Sequence, residues 1–270
     1  MILQLCAWLL ALREISALLP AGLGPRHFTT RTAKIRQSSL EMGSSRVNCK
    51  SLVVWDCDGV LVDSEALLKQ GEVEALAAAG FDLSVDDCVR LFSGVSTDQA
   101  AYNFQQAIGS PLPPGFFQQQ IQGSLGLFSA RLQPLMSDTV ADLHAAGHSM
   151  CVASGSPLPR VTLCLELAGM QEAFPGDRVF TRELVARGKP APDLFLYSAE
   201  KMGVAPDKCI VVEDSAAGVE AALAAGMDVI AFLGGGHAGA DWYAEAIARF
   251  GVPVAHTQEE VLALVRRQMC

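Results

Sequence analysis

Short apolar runs alternate with helical patterns along the chain from Ser51 onward. Four such runs are continuous over four residues each, at 52–55, 150–153, 209–212 and 229–232. Continuous runs of this length predict strands buried on both faces, as in a parallel sheet covered by helices. The alternation therefore predicts an α/β fold with a Rossmann-like, doubly wound parallel sheet.

One region departs from this alternation. Residues 65–134 contain no convincing buried strand and show helical spacing, as in the stretch 66–80 that ends at Gly80. This pattern predicts a helical domain inserted after the first strand. We therefore expect an N-terminal extension at 1–50, a core domain formed by 51–64 and 135–270, and the inserted domain at 65–134.

The first 50 residues have an unusual composition. About a dozen apolar residues open the chain, too few to span a bilayer and without the leading positive charges of a secretory signal. The following stretch, 24–39, is rich in Arg, Thr and Ser and contains no acid, which is typical of an organellar transit peptide. The alternative is an extension with Met42 as the true start. We expect an intracellular protein, cytoplasmic or, with a transit peptide, plastid or mitochondrial.

The net charge of the chain limits the kinds of partner that it can bind. The whole sequence has a formal net charge of −9, and residues 51–270 carry 13 Lys or Arg against 27 Asp or Glu. This balance argues against nucleic acid or an anionic membrane as a partner, and an anionic substrate would need a local positive group. Eight cysteines without a CxxC pair predict reduced thiols rather than disulfides or a zinc site. We expect a monomer that acts on a small molecule.

Polar residues follow three of the predicted strands at the point where each strand ends. Because ligands bind beyond the carboxyl ends of parallel strands, near a switch in strand order, these residues are candidates for one site. A further candidate is the lysine of the segment RGKPAPD. The candidates are Asp56, Asp58, Ser154, Gly155, Lys189, Glu213 and Asp214.

Each segment taken singly could be a turn or a helix cap. Together, four carboxylates without a counter-ion would repel one another and raise their own pKa values, and a divalent cation resolves this conflict. Oxygen ligands without His or Cys favour Mg²⁺. With the metal bound, Asp56 can attack phosphorus as a nucleophile and Asp58 can act as acid and base. Lys189 and Ser154 would hold the phosphoryl charge.

Four segments of the chain resemble the motifs of the haloacid dehalogenase superfamily of phosphohydrolases, over residues 51–235. They are DCDGVLVDS at 56–64, VASGS at 152–156, GKPAPD at 188–193 and VVEDSAAGVEAA at 211–222. The helical insertion resembles the cap domain of the subgroup that contains phosphoglycolate phosphatases, sugar-phosphate phosphatases and β-phosphoglucomutase.

This resemblance implies a role for each matching residue. Asp56 is the nucleophile, and Asp58 is the acid and base whose backbone carbonyl also binds the metal. Ser154 and Lys189 bind the phosphate, with Gly155 beside them. Asp214 is a metal ligand, and Glu213 lies close by or also ligates.

The resemblance leaves more than one function open. We expect a Mg²⁺-dependent phosphatase of sugar or sugar-acid phosphates that forms an aspartyl-phosphate. The alternatives are a phosphomutase and a non-catalytic regulatory protein with the same fold. Mutase-like sequences carry a His and an Arg where this chain has Leu68 and Thr97, so we favour hydrolysis.

Further residues are expected in the cap and around the edge of the site. Lys69, Gln70 and the loop 93–97 are candidates to contact the substrate from the cap. His237 follows three glycines and is expected at the surface or rim of the site. Asp63 is expected to support the turn into the cap.

Overall fold

The computed structural model describes residues 49–93, 95 and 97–269. The expected transit segment and the alternative start at Met42 lie outside the described residues. Within the described part of the chain, no helix has the length and apolar character needed to cross a membrane.

Six parallel strands form one sheet in the order β3-β2-β1-β4-β5-β6. This confirms the predicted α/β fold with a parallel sheet, and all four predicted strands are present with ends within two residues of the prediction. Strands β3 and β6 are additional, and at three and two residues they are too short to show a pattern in the sequence. The strands are β1 (Leu52–Trp55), β2 (Ser149–Ser154), β3 (Val179–Thr181), β4 (Cys209–Glu213), β5 (Asp228–Phe232) and β6 (Val254–Ala255).

Four helices form the insertion between β1 and the rest of the sheet: α1 (Ser64–Ala78), α2 (Val85–Phe92), α3 (Thr97–Ile108) and α4 (Phe116–Arg131). The helix that the sequence places before Gly80 ends there because Gly80 adopts φ 88, a conformation that favours glycine. Six further helices accompany the strands: α5 (Ser137–Ala145), α6 (Leu158–Leu167), α7 (Asp193–Lys201), α8 (Ala216–Ala224), α9 (Asp241–Ala248) and α10 (Gln258–Gln268).

Apolar side chains cover both faces of the sheet. Successive residues of β1 point to opposite faces, so Val53 and Trp55 join one hydrophobic cluster while Leu52 and Val54 join the other. A third cluster fills the helical insertion, where the ring of Phe92 lies 6.2 Å from that of Phe104. The insertion therefore has a hydrophobic core of its own.

The strand order switches direction at β1, which lies between β2 and β4. Trp55 at the end of β1 is level with Val152 of β2 and Val212 of β4. Because the strands are parallel, the residues that follow them emerge together at one edge of the sheet. This edge at the switch point is where α/β sheets bind their ligands.

Candidate active site

The turn after β1 brings two carboxylates to the carboxyl edge of the sheet. Asp56 extends the ladder through its amide, which donates to Val212 O at 3.0 Å. The chain then turns sharply at Gly59, where φ is 78 and where an added Cβ would overlap the side chains of Asp214 and His237. Only glycine allows this close approach. The turn therefore directs Asp56 and Asp58 into the same crevice.

Asp58 is held by side chains from α1, α6, β2 and the loop after β2. Its Oδ1 accepts from Ser64 Oγ at 2.5 Å and from Arg160 Nη2 at 2.6 Å. Its Oδ2 accepts from Ser156 Oγ at 2.5 Å and more weakly from Ser154 Oγ at 3.5 Å. Burial acts to raise the pKa of Asp58, but the guanidinium of Arg160 and the hydroxyl donors hold it below its ordinary value.

Lys189 joins the nucleophile candidate to the carboxylate at the end of β4. Its Nζ donates to Asp56 Oδ1 at 2.6 Å and to Glu213 Oε1 at 2.7 Å. Burial raises the pKa of Asp56 well above its ordinary value, against the opposing charge of Lys189. The pKa of Lys189 is also raised, because the two carboxylates outweigh the burial of its ammonium group. The ammonium group therefore stays charged inside the site.

Glu213 and Asp214 are held by different partners. Glu213 Oε2 accepts from the amide of Ser215 at 2.7 Å and from its hydroxyl at 3.0 Å. The same hydroxyl accepts from Gly218 N and caps α8. Asp214 Oδ2 lies 2.7 Å from His237 Nε2. Burial raises the pKa of Asp214 to about 7, against the opposing effect of His237.

The expectation for His237 is wrong. The residue is 4% exposed and packs against the ring of Tyr243, with ring centroids 5.3 Å apart. The loop after β5 turns inward over Gly59, and the glycines before His237 allow this close packing: an added Cβ at Gly235 would crowd the imidazole. Three glycines in the sequence suggest a loop, but they do not show that it folds back over β1.

Three of the carboxylates lie close enough together to share a cation. Ligand oxygens of Asp56, Glu213 and Asp214 all lie within 4.8 Å of one another, and all three residues are buried. A set of carboxylate oxygens is typical of hard divalent cations such as Mg²⁺. The side chain of Asp58 lies outside this group, because its oxygens are bound by hydroxyls and Arg160.

A sequence model of the haloacid dehalogenase-like hydrolases matches residues 50–226 of the chain. The chain belongs to this family. It is 30% identical over 186 residues to the 6-phosphogluconate phosphatase of Escherichia coli (strain K12), which covers 68% of this chain and 83% of that relative. It is 32% identical over 181 residues to the fructose-1-phosphate phosphatase YqaB of the same strain, covering 66% and 94% of the two chains.

A solved structure of a haloacid dehalogenase family hydrolase from Deinococcus radiodurans R1, with bound phosphate and sodium, has the same fold. It superposes on this chain with a TM-score of 0.69 at 30% sequence identity, covering 82% of this hydrolase and 97% of that chain. The match leaves fewer residues uncovered than the insertion at 65–134 contains, so it includes at least part of that insertion.

The structure of this hydrolase brings the candidate residues of the core together at one edge of the sheet. Ser154 is fully buried beside Asp58, whereas Gly155 is exposed and an added Cβ there would meet no atom within 4 Å. The side of the crevice next to Ser154 is therefore open. Asp63 Oδ1 accepts from Gly236 N at 3.1 Å, which ties the turn into α1 to the loop after β5.

The substrate candidates in the insertion have contrasting environments. Lys69 is 3% exposed and lies against Glu72, while Gln70 is exposed. Ser93 and Thr97 are the two ends of the predicted loop, of which residues 94 and 96 lie outside the described part of the chain. Lys69 is therefore buried rather than part of a solvated helix face.

Four residues of the site were not predicted as contributors from the sequence. Ser64 and Ser156 lie inside quoted motifs, six residues after Asp58 and two residues after Ser154, so the motifs themselves were a usable signal. Arg160 and His237 lie outside every motif. These two are bound to carboxylates that lie 102 and 23 residues away, and nothing in the local sequence indicates either pairing.

Proposed function

We propose that this hydrolase is a Mg²⁺-dependent phosphatase of small phosphorylated metabolites that works through an aspartyl-phosphate. The observation that carries the proposal is the contrast between two neighbouring carboxylates. Asp56 lies against Lys189 and the acidic cluster, while Asp58 lies against Arg160 and hydroxyl donors. Two carboxylates in different environments can take different roles in one reaction.

Asp56 is the proposed nucleophile. Its carboxylate oxygen attacks phosphorus, a bond from that oxygen to phosphorus forms, and the ester bond to the leaving oxygen breaks. Asp58 donates a proton to the leaving oxygen and then takes one from the water that attacks the aspartyl-phosphate. The second step breaks the bond between Asp56 and phosphorus and releases phosphate. The low pKa of Asp58 in the free protein suits the base step, and the acid step requires proton uptake when substrate is bound.

The acidic cluster fits the proposed metal. Lys189 and Ser215 engage both oxygens of Glu213, whereas Lys189 engages one oxygen of Asp56 and His237 engages one oxygen of Asp214. We therefore propose Asp56, Asp214 and the backbone carbonyl of Asp58 as ligands, with Glu213 as their support. When bound, Mg²⁺ would neutralise charge on the phosphoryl oxygens.

Lys189, Ser154 and Gly155 are the proposed phosphate-binding groups. Lys189 supplies the positive charge that an anionic substrate needs in this acidic protein, and it already lies 2.6 Å from the attacking carboxylate. The hydroxyl of Ser154 is at the same edge, and the open space at Gly155 leaves room for phosphoryl oxygens. Positioned donors of this kind stabilise the transferring group.

Hydrolysis is favoured over phosphoryl transfer between sugar hydroxyls. The positions that carry a His and an Arg in mutase-like sequences hold Leu68 and Thr97 here. The names of two relatives, a 6-phosphogluconate phosphatase and a fructose-1-phosphate phosphatase, support the same choice. The helical insertion at 65–134 is the proposed cap over the leaving group.

Replacement of the nucleophile tests the mechanism. Asp56→Asn keeps the shape of the side chain but removes its charge, and we expect phosphate release to fall by at least about a thousandfold. The exposed Asp177→Asn is the matched control and keeps full activity. Chelation is expected to remove activity and added Mg²⁺ to restore it. Substantial activity in Asp56→Asn contradicts the mechanism, and faster interconversion of sugar 1- and 6-phosphates than phosphate release identifies a mutase.

A further inference from the structure

One face of α1 carries a row of charged side chains that begins beside the catalytic carboxylates. Ser64, the first residue of α1, donates its hydroxyl to Asp58. Glu65, Lys69 and Glu72 follow at spacings of four and three residues, which places them on one side of the helix. Lys69 Nζ lies 3.1 Å from both carboxylate oxygens of Glu72 and 3.9 Å from Glu65 Oε2. The row therefore continues the active site into the insertion.

Arg160 of α6 lies between this row and the catalytic edge. Its Nη2 donates to Asp58, and its guanidinium lies 5.2 Å from the ring centroid of Phe128 in α4. Because Ser64 and Arg160 both donate to Asp58 Oδ1, Arg160 lies beside the start of the row. A group that leaves from phosphorus beside Asp58 would enter this region.

Two buried polar atoms in this region lack a hydrogen bond. Among the described residues, neither Arg160 Nε nor Glu72 Oε2 has a hydrogen-bond partner, although Lys69 Nζ lies near the latter outside hydrogen-bond geometry. A buried polar atom without a partner is costly, and it is commonly satisfied by water or a ligand. One of these atoms is a donor and the other is an acceptor. Hydroxyl groups both donate and accept, so a hydroxyl could satisfy either atom.

The charges of the region disfavour a second anionic group on the substrate. Arg160 and Lys69 face three carboxylates, those of Asp58, Glu65 and Glu72. When Asp58 is protonated for the acid step, the two cations face two carboxylates, and this balance of zero holds above pH 7, because burial raises the pKa of Glu72 to about 7. No positive charge is left over for a carboxylate on the leaving group, and a like charge placed next to these carboxylates is unfavourable.

We propose that Lys69, Glu72 and Arg160 bind the hydroxyl groups of a neutral, polyhydroxylated leaving group. This inference rests on the proposed phosphatase function and narrows its substrate class. The protein then hydrolyses sugar and sugar-alcohol phosphates in preference to sugar-acid phosphates. Lys69, Glu72 and Arg160 act as residues that determine specificity, next to the residues that carry out the reaction.

Two substrates that differ at one carbon test the preference. D-glucitol 6-phosphate and 6-phosphogluconate share a carbon chain and differ only in a CH₂OH or a carboxylate at C1. We expect kcat/KM to be greater for glucitol 6-phosphate, by about tenfold, since an unpaired like charge in a buried site costs more than 1 kcal/mol. Released phosphate is the measured quantity for both.

Variants of the row test which residues set the ratio of kcat/KM for glucitol 6-phosphate to kcat/KM for 6-phosphogluconate. Glu72→Gln removes a negative charge and is expected to narrow the preference by about threefold, because the carboxylate of 6-phosphogluconate meets less repulsion. Lys69→Gln removes a positive charge and is expected to widen the preference for glucitol 6-phosphate. Glu74→Gln on the exposed face of the same helix is the matched control and leaves the ratio unchanged. A loss of stability alone changes the amount of active enzyme but not the ratio.

The outcomes separate this inference from the function on which it rests. If no phosphate ester is hydrolysed, the proposed function fails. If phosphate is released but the ratio is one or less, or both row variants keep the ratio of the unmodified protein, the inference is overturned while the function stands. Lys69→Gln carries the test alone if Glu72→Gln does not fold.

Discussion

Gly218 and Gly126 provide a direct test of the packing beneath the acidic cluster. Both are helical glycines, in α8 and α4, and helix propensity alone predicts that replacing either with alanine stabilises the fold by up to about 1 kcal/mol. Their surroundings differ. An added Cβ at Gly126 would meet no atom within 4 Å, whereas at Gly218 it would overlap the carboxylate of Glu213.

The loss of stability expected for Gly218→Ala follows from the contacts that Glu213 would lose. To make room for the methyl group of Gly218→Ala, the 1%-exposed Glu213 must leave its bonds to Lys189 and to the amide and hydroxyl of Ser215. Breaking a buried charge pair costs about 3–5 kcal/mol, so the net loss after the helix-propensity gain is roughly 2–4 kcal/mol. For a chain of this size, that lowers Tm by roughly 5–15 °C.

Thermal unfolding followed by circular dichroism measures the difference between the two variants. Gly126→Ala is expected to raise Tm by about 2–4 °C and to keep full activity. Gly218→Ala is expected to lower both Tm and phosphate release, because Lys189 loses one of its two carboxylate partners. Equal or higher stability of Gly218→Ala, together with unchanged activity, would refute the proposed packing of Glu213 over α8.

Two further changes address the insertion. Trp242→Phe removes the hydrogen bond from the indole to Asp86 Oδ1, which is 2.7 Å long and links α9 to α2. We expect the free energy of unfolding in urea to fall by about 1 kcal/mol. An unchanged urea midpoint would show that this hydrogen bond adds no stability. Burial raises the pKa of Glu72 to about 7, so between pH 4.5 and 7 the folded state binds more protons than the unfolded state. The free energy of unfolding therefore falls as pH rises through this window. Relative to Glu72→Gln, we expect the unmodified protein to lose up to about 3 kcal/mol from pH 4.5 to 8, and parallel pH profiles would contradict the assignment.

The strands that carry the site could be predicted because each is a continuous apolar run, and burial on both faces requires such runs. Asp56 and Asp58 were candidates for the same reason, since they directly follow β1. Strands β3 and β6 could not be predicted, because two or three residues show no periodicity. They form in the tertiary structure by adding to the exposed edges of β2 and β5.

The sequence by itself determined the order of the motifs, the parallel sheet and the residue types available for chemistry. It did not determine which side chains pair. Arg160 meets Asp58 because α6 packs beside the turn after β1, and His237 meets Asp214 because the loop after β5 folds back over Gly59. Such contacts depend on how distant segments pack, while a sequence pattern reports only the local alternation of buried and exposed positions. The tertiary structure therefore decided the partner of each carboxylate in the candidate site.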